Sequence, residues 1–229
     1  MLISVIIPLY NEEQTIGNII ERVQTTMKHT GLKYEIIVVD DCSFDNSCMV
    51  AKKYPVQLYS LSVHVGKGAG LRAGFAKAKG DFIVTIDSDG SHLPEELPRL
   101  LYPVLNNKAD LVIGSRYLLQ QKKVTAKKLN VFGVKIFNSI IQMFAGVYVT
   151  DSQSGYRVMK KEVLDIQHLK SCGYEIETEM LVKTAKSHYR VFEVPISFEQ
   201  RTYGVSGIDY LHDFFRIFVS IISARLRRV

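Results

Sequence analysis

The amino-acid sequence predicts an α/β protein built on a mostly parallel, doubly wound sheet flanked by helices. Three observations carry that expectation. Short apolar, β-branched runs alternate with stretches of helical periodicity through the first half of the chain, the pattern of successive strand–helix–strand units. Two of the runs, "SVIIP" and "DFIVTI", are apolar almost throughout rather than alternating, as strands covered on both faces are. Several end in carboxylates, at the edge where open parallel sheets bind their ligands.

Taken in order, Ile3 to Pro8 of "MLISVIIPLYNEE" reads as the first strand. It lacks the basic start and small-residue cleavage site of a leader. Ile16, Ile19, Ile20, Val23 and Met27 recur at helical spacing and predict a helix over Glu13 to Thr30. Glu35 to Asp40 is strand two, Asp45 opens a helix to Tyr54, and Val56 to Leu61 is strand three. "VGKGAGLRAG", Val65 to Gly74, is a glycine-rich turn entering a helix. It fits neither the dinucleotide nor the P-loop pattern, so it serves equally as a phosphate-facing turn or as close helix–strand packing. Phe82 to Asp87 is strand four, Pro94 opens a helix to Leu105, and Leu111 to Ser115 is strand five.

With 229 residues, 47% of them hydrophobic, the chain buries a core and is not disordered. A formal charge of +6 points to an anionic partner. Cys42, Cys48 and Cys172 have no metal-ligand spacing and read as inert thiols in a reducing compartment. No segment reaches the roughly 20 apolar residues of a bilayer span. The longest candidate, 217–224, lies between Arg216 and Arg225.

Beyond Ser115 the composition changes. From Tyr117 to Thr150 there are five lysines (Lys122, Lys123, Lys127, Lys128, Lys135) and no acidic residue, leading into an apolar helix. The aromatic-rich C-terminal helix ends in Arg225, Arg227 and Arg228. Both segments suit an anionic membrane surface, and the second suits equally a core helix with a charged edge.

Chemistry gathers at the strand ends. Asp40 with Asp41, and Asp87 with Asp89 in "DSDGSH", converge on one edge of the sheet, where four carboxylates repel unless a cation sits among them. Such pairs suit a hard divalent cation, and Asp is also common in caps and turns. After a buried strand the functional reading is favoured for "DSDGSH"; for "DDCSFD" the two stand level. His64 and His92 read as surface or packing residues rather than bases. Glu175, Glu177 and Glu179 suit a solvated helix start.

In this order, "ISVIIPLYNEE", "EIIVVDDCSFD", "GKGAGLRAGFAKAKGD", "DSDGSH", "IGSRY", "TDSQSGYRV" and "VPISFEQRTYGVS" resemble the family 2 glycosyltransferases, nearest the polyprenyl-phosphate hexosyltransferase branch. The resemblance covers nearly the whole chain. It implies a GT-A, Rossmann-like fold and a single domain over 1–229: a nucleotide-binding half (1–116), an acceptor-binding half (117–206) and a C-terminal amphipathic helix (207–229). It also implies a nucleotide-sugar donor, a divalent metal (Mg2+ or Mn2+) and an inverting transfer.

By the same resemblance, Pro8, Tyr10, Glu12, Val39 and Asp41 hold the nucleoside, and Asp87, Ser88 and Asp89 the diphosphate and metal. Asp89 is the principal metal ligand, with Ser91 ligating weakly or through water. Arg116 and Arg201 meet the acceptor phosphate, with Lys127 or Lys128 in a position often held by Arg, and Ser206 in "GVSG". Gly207 departs from the pattern, standing where a lysine is expected near that phosphate. The placement of Glu175–Glu179 beside the acceptor competes with the solvated-face reading.

The function expected is transfer of a hexose, mannose from GDP-mannose in preference, to a polyprenyl or dolichyl phosphate. The enzyme would sit peripherally at the cytoplasmic face of a membrane, an arrangement compatible with a membrane-anchor partner protein. A UDP-glucose-dependent polyprenyl-phosphate transferase, or an enzyme acting on a soluble glycan, is the alternative. A third reading, a non-enzymatic nucleotide or nucleic-acid binder, is permitted by the net charge, but no recognisable motif supports it and the carboxylate pairs would repel a phosphate backbone unless a metal intervened.

Overall fold

The structure, a computed structural model, describes residues 1–118, 138–144, 146–165, 168–199 and 210–226. Seven strands form one sheet: β1 (Leu2–Leu9), β2 (Lys33–Asp40), β3 (Gln57–Ser60), β4 (Phe82–Thr85), β5 (Leu111–Ser115), β6 (Arg157–Lys160) and β7 (Val191–Pro195). Their spatial order is β3-β2-β1-β4-β6-β5-β7. Neighbours are parallel except around β6, which runs antiparallel to both β4 and β5.

The helices in chain order are α1 (Ile16–Thr30), α2 (Ser47–Ala51), α3 (Lys67–Lys77), α4 (Leu97–Leu105, entered through a 3-10 turn at Pro94–Glu96), α5 (138–144), α6 (Lys161–Asp165), α7 (Ile176–Lys186) and α8 (Tyr210–Leu226). Strand side chains alternate between two faces, and both are covered. Ile3, Val5, Ile7 and Leu9 of β1 join Val38, Val84, Val112 and Val158 in a core closed by the Ile16–Met27 stripe of α1 and by Leu97, Leu100, Leu101 and Val104 of α4. On the other face Ile6, Ile37, Val39, Ile83 and Ile113 meet Leu71 of α3, Ile141 of α5, Met180 and Leu181 of α7, and Ile217 and Ile221 of α8. Two-sided cover is why the strands read as continuous apolar runs.

The five expected strands are present. The second helix is shorter than expected, because Asp45 serves the turn before it: Oδ1 accepts the Ser47 N–H at 2.9 Å and Oδ2 the Glu13 N–H at 3.1 Å. Likewise α1 begins three residues later than its pattern suggested, after a turn in which the Ile16 N–H reaches the Glu12 carbonyl at 3.0 Å.

The topology positions the site. From β1 the chain builds outward through β2 and β3 on one side, then returns to place β4 on the other. The connections leaving β1 and β4 therefore diverge, and a crevice opens at their carboxyl ends. At the opposite edge of the sheet Asp110 accepts Arg190 Nε and Nη2 at 3.0 and 2.9 Å and Lys160 Nζ at 2.8 Å. Asn107 takes up the rest of both cations, at 2.6 Å from Arg190 Nη1 and 2.8 Å from Lys160 Nζ. Hydrogen bonding holds the Asp110 carboxyl well below the usual carboxylate range, Arg190 first. No described helix is long and apolar enough to cross a membrane.

Candidate functional site

The crevice holds a cavity of about 540 Å³. Pro8, Tyr10, Glu12, Asp41, Asp87, Ser88 and Asp89 line it, so seven of the eight residues assigned to the donor share one wall system. The eighth, Val39, is fully buried, with its side chain in the core. Its Cγ1 lies 3.9 Å from where a Cβ on Gly70 would stand, and Gly70 does line the cavity. A smaller groove of about 290 Å³ runs between α7 and α8. Arg216 lines both.

The turns after β1 and β2 are braced against each other. Asn11, at φ 53°, accepts the Phe44 N–H at 3.0 Å on its side chain and donates its own N–H to Ser43 Oγ at 2.9 Å. The Glu12 N–H reaches Ser47 Oγ at 2.7 Å. Asn tolerates the left-handed region, which lets the chain turn sharply at the mouth. Asp41 is buried and accepts the Val65 and Gly66 N–H groups at 2.9 and 2.7 Å, which carries the loop after β3 into the cavity wall. Gly66, at φ 122°, is required twice over, since a Cβ there would also meet the Cys172 carbonyl at 2.6 Å. His64 stacks on Tyr10 with centroids 3.9 Å apart, and its Nδ1 lies 2.8 Å from Asp41 Oδ2. It is thus a wall of the cavity rather than a bystander.

At the other end the expected cation among carboxylates is Lys67, the lysine of "VGKG". Its Nζ lies 2.7 Å from Asp87 Oδ1 and 2.8 Å from Glu177 Oε1. Burial opposes the Lys67 charge, but the two carboxylates outweigh it and hold the ammonium protonated well above the ordinary lysine range. Burial likewise opposes the Asp87 charge, and Lys67 overcomes it and keeps the carboxyl below its ordinary value. Glu177 Oε1 is held by Lys67 through this ion pair, while Oε2 has no hydrogen-bond partner among the described residues. Gly155 packs directly on this pair: a Cβ would lie 2.6 Å from both Asp87 oxygens and 2.7 Å from Lys67 Nζ.

Asp89 sits outside the ion pair. Its Oδ1 accepts both the N–H and the hydroxyl of the buried Ser91, at 3.0 and 2.6 Å, which leaves the other carboxylate oxygen for the cavity. Thr15 Oγ1 donates to the Ser88 carbonyl at 2.7 Å and ties this loop to the start of α1. No cluster of three or more metal-ligating side chains occurs among the described residues. The hard oxygens of Asp87, Asp89 and Ser91 fit a cation such as Mg2+, which is typically held by one or two carboxylates together with substrate phosphates.

Arg116 lies behind this loop. Its Nε and Nη2 both hold Asp151, at 2.7 Å each, and its guanidinium lies 5.3 Å from the Phe198 ring. Burial opposes its charge, and Asp151 more than restores it. Among the described residues, two of its five N–H bonds are committed, both to Asp151. Arg201, Lys127, Lys128 and Ser206, with Gly207, lie outside the described residues. His92 is a packing residue as expected, buried against Tyr156 at 5.4 Å, and burial first of all depresses its pKa. The backbone beyond it is zipped to the segment after β7, with the Glu199 N–H on the Ser91 carbonyl at 3.0 Å.

Glu175, Glu177 and Glu179 are buried, not a solvated face. Glu175 Oε1 accepts the Cys172 and Gly173 N–H groups and Arg216 Nη2. Glu179 accepts the Lys170 and Ser171 N–H groups and pairs with Lys183 at 2.7 Å. Together they fix the loop that closes on Gly66 and Gly68. Sequence reasoning missed Lys67, Asp151 and Arg157. Arg157 is fully buried, spends its N–H groups on the carbonyls of Ser152, Ser154 and Glu177, and is lowered by burial to about 10. The signal for Lys67 lay in "GKG" and that for Asp151 and Arg157 in "TDSQSGYRV", but neither motif gave these residues a role without the fold.

Residues 4–166 match the family described as Glycosyl transferase family 2. The dolichol-phosphate mannosyltransferase of Pyrococcus furiosus is 32% identical over 95% of this chain, which spans 64% of that protein's length. The undecaprenyl-phosphate mannosyltransferase of Micrococcus luteus is 33% identical over 90% of this chain and 87% of its own. Among solved structures, glucosyl-3-phosphoglycerate synthase from Mycobacterium tuberculosis, in complex with Mn2+, UDP and phosphoglyceric acid, superposes with a TM-score of 0.78 at 22% identity. That match covers 100% of this chain and 80% of the synthase, and it identifies the fold as GT-A-like.

Proposed function

Since the chain belongs to glycosyltransferase family 2, we propose that it transfers a hexose from a nucleoside-diphosphate sugar to a polyprenyl phosphate such as dolichyl phosphate, with inversion. GDP-mannose is the favoured donor. The observation that carries this reading is the single cavity in which Tyr10 and Asp41 stand at one end and Asp87 and Asp89 at the other, as a nucleoside followed by a diphosphate requires. The mannosyltransferase names of the relatives support the acceptor class and the sugar.

A phosphate monoester is already anionic at neutral pH, so the nucleophile needs alignment and desolvation more than a general base. This agrees with a site whose buried histidine, His92, faces no hydrogen-bond partner among the described residues. In the proposed step an acceptor phosphate oxygen bonds to the anomeric carbon while the bond from that carbon to the donor diphosphate breaks and the nucleoside diphosphate departs. Arg116 would present its other N–H bonds to the acceptor phosphate, with Arg201, Lys127 or Lys128, and Ser206 completing the grip. Asp89, with Ser91 behind it, would hold a divalent cation, whose chemistry is to neutralise charge on the departing diphosphate. Lys67 keeps Asp87 ionised and fixed beside it.

The basic segment around Lys122–Lys135 and α8 would rest the protein on the cytoplasmic face of the membrane, where a membrane-anchor protein would be a compatible partner. The test is incubation with labelled GDP-mannose, UDP-glucose and UDP-N-acetylglucosamine, Mg2+ or Mn2+, and a short polyprenyl phosphate. Label partitioning into organic solvent from one donor names the donor. Transfer only to soluble sugars would replace the acceptor, and binding to anionic vesicles that does not weaken with salt would remove the membrane assignment.

A further inference from the structure

His64 makes with Tyr10 and Asp41 the two contacts that a nucleobase would make with them. Its imidazole lies on the Tyr10 ring at 3.9 Å between centroids and 20° between planes. Its Nδ1 lies 2.8 Å from Asp41 Oδ2 and 3.3 Å from the Asp41 backbone carbonyl, and because both oxygens only accept, the ring N–H is on that nitrogen. A flat heteroaromatic ring stacked on a tyrosine, with its N–H turned to the oxygens of Asp41, occupies the place of a bound base. Two rings at this distance leave no space for a third between them, so a base taking this face of Tyr10 must first expel the imidazole.

The two partners differ in their freedom to move. Asp41 is buried and anchored by the Val65 and Gly66 N–H groups. The His64 side chain is half-exposed, with exposed Val63 and Val65 on either side of it. The acceptor stays and the imidazole can swing out.

We infer that His64 is an internal stand-in for the donor base, competing with the nucleotide for Tyr10 and Asp41. This rests on the assignment of those two residues to the nucleoside. The imidazole also states what the place accepts: a base with a ring N–H at its edge. Guanine (N1–H) and uracil (N3–H) qualify. Adenine and cytosine turn an unprotonated ring nitrogen toward that edge and have only the exocyclic amino group to offer Asp41. The displacement penalty falls on every base alike, so it lowers all affinities together and leaves poorly fitting nucleotides below useful occupancy.

Calorimetric titration of the wild type, His64→Ala and His64→Phe with GDP, UDP, ADP and CDP in excess Mg2+ tests this. His64→Ala is expected to bind every nucleotide about tenfold more tightly, the weight of one stacking contact and one hydrogen bond no longer broken, with guanine and uracil still preferred. His64→Phe, which keeps the stack and loses the hydrogen bond, is expected to gain less. In the wild type, the His64 ring-proton resonance, assigned by its loss in His64→Ala, should leave the ring-current field of Tyr10 as GDP or UDP saturates the site. Affinity unchanged or weakened in His64→Ala, or a His64 resonance unmoved at saturation, overturns the stand-in while leaving the nucleotide site intact. Absence of nucleotide binding in both wild type and His64→Ala would instead overturn the donor reading, and this inference with it.

Discussion

Two charge clusters of opposite composition, one carboxylate between two cations and one cation between two carboxylates, sit at opposite edges of the same sheet. At the amino edge of β5 and β7, Asp110 is shared by Arg190 and Lys160, with Asn107 taking up the remaining donors. At the carboxyl edge of β4, Lys67 is shared by Asp87 and Glu177, and Glu177 Oε2 has no hydrogen-bond partner among the described residues. The first cluster is saturated, and half of the Arg190 side chain is in solvent. The second is largely buried and incompletely satisfied. A saturated network closes an edge of the fold; an unsaturated one beside a cavity is held in readiness for something else, at a cost in stability.

The largest test of this contrast is Lys67→Met, which strands the buried Glu177 carboxylate and the part-buried Asp87 carboxylate and should cost about 3 kcal/mol in denaturant unfolding. A loss below about 1 kcal/mol would make the two clusters equivalent. Asp89→Ala sharpens the comparison from the other side, because Asp89 stands beside the cluster without belonging to it. It should cut transfer by about 10²–10³-fold with the thermal midpoint nearly unchanged; retained turnover would remove Asp89 from the diphosphate and metal site. Gly155→Ala pushes a methyl group against Asp87 and Lys67 and should cost about 1–3 kcal/mol along with most of the transfer.

The smallest effect belongs to the saturated cluster. Hydrogen bonds from Arg190, then Lys160, depress the Asp110 pKa, so its contribution is complete above the unfolded aspartate value near 4 and disappears as pH falls through the lower folded value. Asp110→Asn should therefore lose about 1 kcal/mol at pH 7, with no change in transfer, and the difference should close below about pH 4. A gap that persists at low pH would assign the loss to packing instead.

The cavity wall at the ends of β1 and β4 was legible because its signals are local. "PLYNE" and "DSDGSH" follow runs that only a doubly covered strand explains, so Tyr10 and Asp89 could be placed at one sheet edge from sequence alone. What could not be read depends on contacts across the fold. β6 carries Arg157 into the centre of the sheet, where no propensity argument puts a charged residue; three carbonyls supplied by 152–154 and α7 make it tolerable there. The alternating glutamates at 175–179 looked solvated because their partners, the N–H groups of 170–173 and Lys67, lie on segments that periodicity does not connect. Arg116 was singled out for the acceptor phosphate; its pairing with Asp151 is a tertiary fact that the sequence does not carry.

The place of β6 in the sheet also bears on how the protein is made. β4 and β5 are synthesised early, yet neither is beside the other; both wait for Arg157–Lys160 to emerge and enter the slot between them. At about 5–20 residues per second, a ribosome leaves that slot open for several seconds, with two parallel strands each offering an unpaired edge. Closure of the sheet's centre is thus a late event along the nascent chain, followed by β7 at the edge of β5, and the arginine that must settle into a ring of carbonyls there is also the one whose misplacement would leave a bare edge for another chain to occupy.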